Sequence, residues 1–370
     1  MSLTSTNINV FWDSSVLKHD TGRGFFQRPP SPYLEVTESH PENPDRLRNM
    51  HSVLKLGPLK SYVAWHTGRP ATRDELQAFH EPQYIDMLED VQRLGGERLA
   101  PTTVMAPGSL DAARIAAGTT LAAMAHILDG HSNLAYALVR PPGHHAAPAQ
   151  ADGYCFFNNI GVAVEYARKR GIARIAVIDW DVHHGNGTQE GFYDYDDVLT
   201  VSLHMDHGPW GPTHLQTGKA DEVGCKRGVG YNLNIPLPMG TGDEGYDYAM
   251  TELVLPAIEA FAPDLLVIAA GQDASQFDPN GRQLLTMAGF RRLGQHARAL
   301  ADSYCNGRLL LVQEGGYALS YAAYCLHATL EGVLGVGPLL DDPIAYIPED
   351  ATVAKTAINM MHKALPDAAQ

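Results

Sequence analysis

Cysteine is scarce. The chain has four, Cys155, Cys225, Cys305 and Cys325, with no C-x-x-C spacing. That excludes a disulfide-stapled secreted scaffold and offers no thiolate knuckle for a metal. The four read as unpaired, mostly buried thiols in a reducing compartment. Positive charge is also short: 27 Lys plus Arg stand against 42 Asp plus Glu, a net charge of −15. A protein that grips a phosphate backbone wants a basic face, so nucleic acid is not an expected partner. A basic substrate remains compatible with that balance. The apolar runs stop at strand length, as in DLLVIAAG and RLLLV, so no membrane span is expected. No basic segment followed by an apolar stretch opens the chain, so no secretory leader is read there and the cytoplasm is the expected compartment. Internal repeats and low-complexity tracts are absent.

What is present is a globular composition, 370 residues with 45% hydrophobic and 19% charged. Near-continuous apolar runs at 133–142, 173–181, 198–204, 231–236, 264–271 and 308–316 suit strands covered on both faces. A further strand-like run lies at 8–13. Helical patterns fall between them. One covers 110–129, with Ser109 as N-cap and Ile115, Leu121, Met124 and Leu128 on its apolar side. Another covers 159–170 and stops at Arg168, Lys169, Arg170 and Gly171. A third, 287–304, follows Thr286. Residues 29–44 carry five prolines and read as a rigid irregular loop; the tail from 336 reads as loop and then helix. Strand and helix alternate without a break through 130–335, which predicts one α/β domain over 1–370 with a doubly wound parallel sheet.

In such sheets ligands bind beyond the carboxyl ends of the strands. Those ends carry His144-His145, then Asp179-Trp-Asp181-Val-His183-His184-Gly-Asn186, then Gly271-Gln272-Asp273, then Gln313-Glu314-Gly315-Gly316-Tyr317. In an extended segment Asp179, Asp181 and His183 would share a side. One imidazole and one carboxylate from this run, with Asp273, make three protein ligands with an open fourth position, the catalytic zinc pattern. The same donors suit Fe(II) or Mn(II). The bland alternative is satisfied polar residues at strand ends. His144 and His145 follow a Pro-Pro-Gly turn that holds the rings, and histidine can act as base and then acid near neutral pH. Asp179 and Asn186 are available to set their tautomers. Tyr317 could donate to a carbonyl oxygen as charge develops on it, or pack as a plain aromatic.

Gly240-Thr-Gly242-Asp-Glu-Gly245 is a literal G-x-G-x-x-G between a strand and a helix. Pro236, Pro238 and Met239 separate it from its strand, and Asp264, near the distance expected for a ribose-binding acid, begins the next strand instead of ending it. No dinucleotide is expected there.

On these residues the chain resembles the histone deacetylase superfamily, and more closely its class II-like bacterial members, the histone deacetylase-like amidohydrolases and acetylpolyamine amidohydrolases. The matching stretches are HPENPDRL (40–47), RPPGHHA (140–146), GYCFFNN (153–159), DWDVHHGNGTQ (179–189), TVSLH (200–204) and QEGGY (313–317). The resemblance implies a sheet of about eight strands and a zinc-dependent hydrolase of acyl amides. It implies Asp181, His183 and Asp273 as zinc ligands, His144 and His145 as the acid/base pair backed by Asp179 and Asn186, and Tyr317 as the carbonyl-polarising group. It also implies potassium near Asp179, Asp181, His183, Ser202 and Leu203, and a second potassium near Phe192, Tyr195, Val198 and Tyr231. Substrate-contacting positions map to Tyr154, Trp210, Gln272, Asn280 and Gly315. Gln272 and Asn280 depart from the usual pattern, which points away from histone-like substrates and toward acetylated amines, acetyl-lysine-like amides or other small amides. A non-hydrolytic metal-binding protein is the rival of another class, which the intact His144, His145 and Tyr317 disfavour. A homo-oligomer is allowed.

Overall fold

The computed structural model describes residues 7–24, 31–208, 216–345 and 347–364. The strands are β1 (Ile8–Trp12), β2 (Val63–Thr67), β3 (Glu97–Ala100), β4 (Thr103–Met105), β5 (Leu134–Ala137), β6 (Ile175–Asp179), β7 (Val198–Met205), β8 (Asn232–Leu237), β9 (Leu265–Ala270) and β10 (Leu309–Gln313). Eight of them form one sheet in the order β2-β1-β5-β10-β9-β6-β7-β8, and every pairing in it is parallel. β3 and β4 form a separate antiparallel hairpin. This is the α/β architecture expected from the alternation of strands and helices.

The side-chain alternation of the central strands explains why helices flank both faces. In β9, Leu266, Ile268 and Ala270 enter one core and Leu265, Val267 and Ala269 enter the other. The first face packs under helices 45–56, 287–304 and 321–334, the second under 109–128 and 159–169. Each fully buried Leu, Ile or Val in these layers contributes roughly 1.5–3 kcal/mol.

Several boundaries differ from expectation. Ser109 is the first residue of its helix and Gly108, at φ +85°, precedes it; the serine hydroxyl instead accepts from Ala106 N at 3.0 Å and meets His19 Nδ1 at 2.8 Å. Thr286 does cap its helix, accepting from Ala288 N. The first hundred residues are more regular than they read: helices Asp45–Leu56 and Pro82–Arg93 are present, and β2 joins the main sheet. β2 is an edge strand, only partly buried along its length, so it lacks the apolar run that marks the central strands.

The glycine-rich decoy is filled from within the chain. Glu349 Oε1 accepts from Gly242 N (2.7 Å) and Gly245 N (3.0 Å), and Oε2 accepts from Glu244 N (2.7 Å). A carboxylate on free N–H groups at a helix start is what the helix dipole favours. Glu349→Ala should lower stability by about 1–2 kcal/mol, read as a lower denaturant midpoint. An unchanged midpoint would show that the carboxylate is not needed to cap this helix.

Candidate active site

β5, β10, β9 and β6 are consecutive in the sheet and parallel, so their carboxyl ends meet at one edge. Asp179 ends β6. Beyond it the backbone leaves the strand, and each carboxylate accepts from the N–H two residues on: Asp181 N to Asp179 Oδ1 and His183 N to Asp181 Oδ1, both 3.0 Å. The run is therefore bent, not extended as expected. Asp181 and His183 still converge, while Trp180 and Val182 point into the core.

His183 Nδ1 lies 3.1 Å from Asp181 Oδ1 and 3.0 Å from Asp273 Oδ2. One ligand atom from each of the three residues lies within 4.8 Å of the others. Burial disfavours the His183 cation, yet the two carboxylates lift its pKa to about 10. Burial, with the Asp181 charge behind it, pushes Asp273 up to about 8. Burial opposes ionisation of Asp181 too, but His144 and His183 outweigh it and hold that group low. Two buried carboxylates against one imidazole form a donor set that a divalent cation neutralises, and its O, N, O composition fits zinc or iron. Gly315 belongs to the same surface. Its N–H donates to Asp181 Oδ2 at 2.7 Å, and a Cβ at this position would collide with carboxylate oxygens of both Asp181 and Asp273.

The two histidines are adjacent, with ring centroids 4.0 Å apart, but are backed differently. His144 Nδ1 meets Asp179 Oδ2 at 2.8 Å; His145 Nδ1 meets Asn186 Oδ1 at 2.6 Å. Burial works against the His144 cation, but Asp179 and Asp181 hold its pKa well above the usual value. Burial, then the His144 and His183 rings, push His145 well below it. Tyr317 is 7% exposed. Burial keeps its hydroxyl protonated, raising its pKa well above the ordinary range.

Tyr154 stands beside Tyr317, with ring centroids 5.9 Å apart. It occupies a tight turn, Asp152 to Cys155, closed by Cys155 N to Asp152 O at 2.7 Å. Gly153 and Tyr154 both have positive φ, +48° and +71°, as a type I′ turn requires. For a tyrosine that conformation is strained by about 1 kcal/mol or more. Asn280 is 8% exposed, its Nδ2 donates to the Tyr154 hydroxyl at 3.5 Å, and its Oδ1 is buried without a partner among the described residues. Gln272, expected to touch substrate, is fully buried: its amide donates to Ala270 O and accepts from Gln313. It has no surface to offer a ligand. Trp210 lies outside the described residues. Asp179 and Ser202 are paired in register across β6 and β7 and border a cavity of about 10 Å³, room for about one water-sized species. The Phe192 and Tyr231 carbonyls already accept from Tyr195 N and Thr200 N, leaving one lone pair each.

A supporting layer escaped sequence reasoning. Glu314 Oε2 accepts from Gly143 N (2.7 Å) and His144 N (3.2 Å), fixing the turn that carries the histidines. Arg46 donates to the carbonyls of Glu314 and Gly316 and lies over the Tyr317 ring at 4.5 Å. Glu42 in turn bonds Arg46 (2.9 Å) and Arg140 (2.7 Å), all three essentially inaccessible to water. Glu42 precedes the helix that carries Arg46, so helical spacing gave no signal, and the HPENPDRL stretch that holds both was the available one.

The sequence profile described as "Histone deacetylase domain" matches residues 40–333. The chain is 56% identical to histone deacetylase 8 of Arabidopsis thaliana over 96% of each chain. It is 40% identical to a histone deacetylase-like amidohydrolase of Pseudomonas aeruginosa, over 90% of this chain and 88% of that one. It is 37% identical to the human polyamine deacetylase HDAC10, over 82% of this chain and 46% of that one. The crystal structure of the HDA15 HD domain superposes with a TM-score of 0.82 at 33% identity, covering 98% of this chain and 97% of that one. With the fold, the profile and the long alignments in agreement, the chain belongs to the histone deacetylase family and is a hydrolytic enzyme of the deacetylase and amidohydrolase kind.

Proposed function

We propose that the chain is a zinc-dependent hydrolase that removes acetyl groups from amines or acetyl-lysine-like substrates. The observation that carries this reading is the unequal backing of two touching imidazoles, a carboxylate behind His144 and a neutral amide behind His145. Environments that push the titration of paired groups apart divide them into acid and base. Asp181, His183 and Asp273 are the ligands. Zinc bound there supplies Lewis acidity and a water of lowered pKa, near 7 in favourable sites, and Fe(II) suits the same donors.

His145 keeps its proton on Nδ1, facing Asn186, and so presents Nε2 as the base that takes a proton from the attacking water. His144, charged against Asp179, supplies a proton to the departing amine. The Tyr317 hydroxyl donates to the substrate carbonyl oxygen as negative charge builds on it. The products are a short carboxylate and a free amine. Potassium belongs to the same reading, near Asp179, Asp181, His183, Ser202 and Leu203 and near Phe192, Tyr195, Val198 and Tyr231. The four free cysteines fit a cytoplasmic setting, and no helix among the described residues is long and apolar enough to cross a membrane.

Substrate preference rests on Asn280 alone, because Gln272 is buried away from any ligand. Asn280 sets a polar side chain against the Tyr154 hydroxyl, which favours substrates that carry a hydrogen-bonding group. Small acyl amides, including acetylated amines and activated anilides, should therefore be hydrolysed better than intact acetylated histones.

Asp181→Ala should lose most of its metal in elemental analysis; full stoichiometry would remove Asp181 from the ligand set. Tyr317→Phe should fold and keep its metal while turnover falls roughly 10²–10³-fold, and an unchanged kcat would return the residue to a packing role. His145→Ala should lose far more activity than metal, and near-normal turnover across pH would place the base elsewhere. Asn280→Leu should shift kcat/KM toward apolar acyl-lysine peptides and away from an acetylated diamine, by no more than about 1–3 kcal/mol. A wild type more efficient on folded histones than on a short acetyl-lysine peptide, an acetylated diamine and a small anilide would reject the small-amide preference.

A further inference from the structure

The Asp278 side chain is 5% exposed and takes no part in the chemistry above. Its carboxylate accepts four backbone N–H groups. Oδ2 takes Tyr317 N at 2.7 Å and Ala318 N at 3.2 Å. Oδ1 takes Asn280 N at 2.9 Å and Gly281 N at 3.3 Å. One oxygen thus holds the backbone that carries the tyrosine, and the other holds the loop that carries Asn280. Phe277, directly before it, has φ +66°, a left-handed conformation that a phenylalanine adopts only under constraint. That twist turns the chain immediately ahead of Asp278. Arg46 holds the carbonyls of Glu314 and Gly316, so the Gly-Gly-Tyr exit is gripped by side-chain charges of both signs.

We infer that Asp278 is a positioning residue for Tyr317, setting where its hydroxyl meets the substrate carbonyl and tying that position to the Asn280 loop. This rests on the reading of Tyr317 as the oxyanion donor. A carboxylate can accept on both oxygens, whereas an asparagine can accept on only one. Whichever way the amide of Asp278→Asn turns, its NH₂ faces two backbone N–H donors and releases either the tyrosine or the loop.

The experiment is a double-mutant cycle on the metal-loaded full chain with Asp278→Asn and Tyr317→Phe, using an acetyl-lysine peptide. D278N should lower kcat by about 10–10²-fold, because displacements of the order of 1 Å at a reacting group cost that much, with KM within about twofold of wild type. In the Tyr317→Phe background D278N should cause no further loss, since the group it positions is gone. Amide hydrogen exchange should quicken in at least one of the peptides covering 278–281 and 316–319 and stay unchanged over 181–183, with metal content intact. A full additional loss in the Tyr317→Phe background, an unchanged kcat in D278N, or a loss that follows metal content would overturn the inference. A wild-type kcat in Tyr317→Phe alone would overturn the oxyanion assignment instead. If D278N does not fold, Asp278→Glu, which keeps the charge but displaces both oxygens by one methylene, runs through the same cycle with the same criteria.

Discussion

Asp181 and Asp273, both buried, each press a carboxylate oxygen against one imidazole nitrogen, that of the partly buried His183. Like charges so placed repel in a medium that screens poorly. The surrounding backbone is arranged to tolerate them. Val182 N donates to Asp273 Oδ1 and Gly315 N to Asp181 Oδ2, and Gly315 lacks the Cβ that would prevent that approach. The parallel sheet makes the arrangement reachable, because four consecutive strands deliver their carboxyl ends to one edge. A strand order that separated β6 from β9 would leave each carboxylate elsewhere, and the donor set would not exist.

The same demand for compensation runs outward from the trio. His144 sits between Asp179 and Asp181, and its backbone is held by Glu314. Burial lifts the Glu314 carboxyl to about 7 even though His144 and Gly143 N favour its charge. Arg46 holds the strand exit from beneath, with Glu42 as its counter-ion and Arg140 sharing that carboxylate. Burial penalises Glu42, and the two arginines more than offset it, so its pKa stays below the usual range. Ion pairs this deep are weak sources of stability, because desolvation consumes most of their attraction, but removing one partner strands the other and is costly. Their role here is geometric: they fix backbone segments from different strands relative to one another.

Much of this was legible in the sequence, for a physical reason. Central strands of a parallel sheet must be apolar on both faces, so Leu265–Ala270 and Leu309–Gln313 stand out as runs, and the polar residues that follow them mark the functional edge. β2 did not stand out because an edge strand need bury only part of its surface. The side chains proposed as metal ligands and proton carriers are chemically specific and visible as letters. The supporting layer is not, because its partners are backbone groups far away in the chain. Arg46 reaches a carbonyl 270 residues on, and Asp278 an amide 39 residues on. Every residue has an N–H or C=O, so no letter at the receiving position announces the bond. Gln272 misled for a related reason. It departs from the family pattern beside Asp273, but its side chain turns to Ala270 O and Gln313 instead.

The Gly-Gly-Tyr exit shows how far the site depends on that hidden layer. From Glu314 to Ala318 the carbonyls of 314 and 316 go to Arg46, the amide of 315 to Asp181, and the amides of 317 and 318 to Asp278. Charged side chains hold this stretch of backbone, which carries two glycines and is otherwise tied through Gly315 O to Gln272 N and the Gln313 amide. Arg46 is balanced by Glu42 and Asp181 by His144 and His183, while the buried Asp278 carboxylate rests on its four backbone N–H groups. Displacing one therefore shifts the backbone that another also holds. Effects of substitutions around this exit should not add as independent contacts do, because groups in one buried network share partners and polarise one another. The Tyr317 hydroxyl stands at the end of that shared backbone, so its position is a property of the whole set and not of the tyrosine alone.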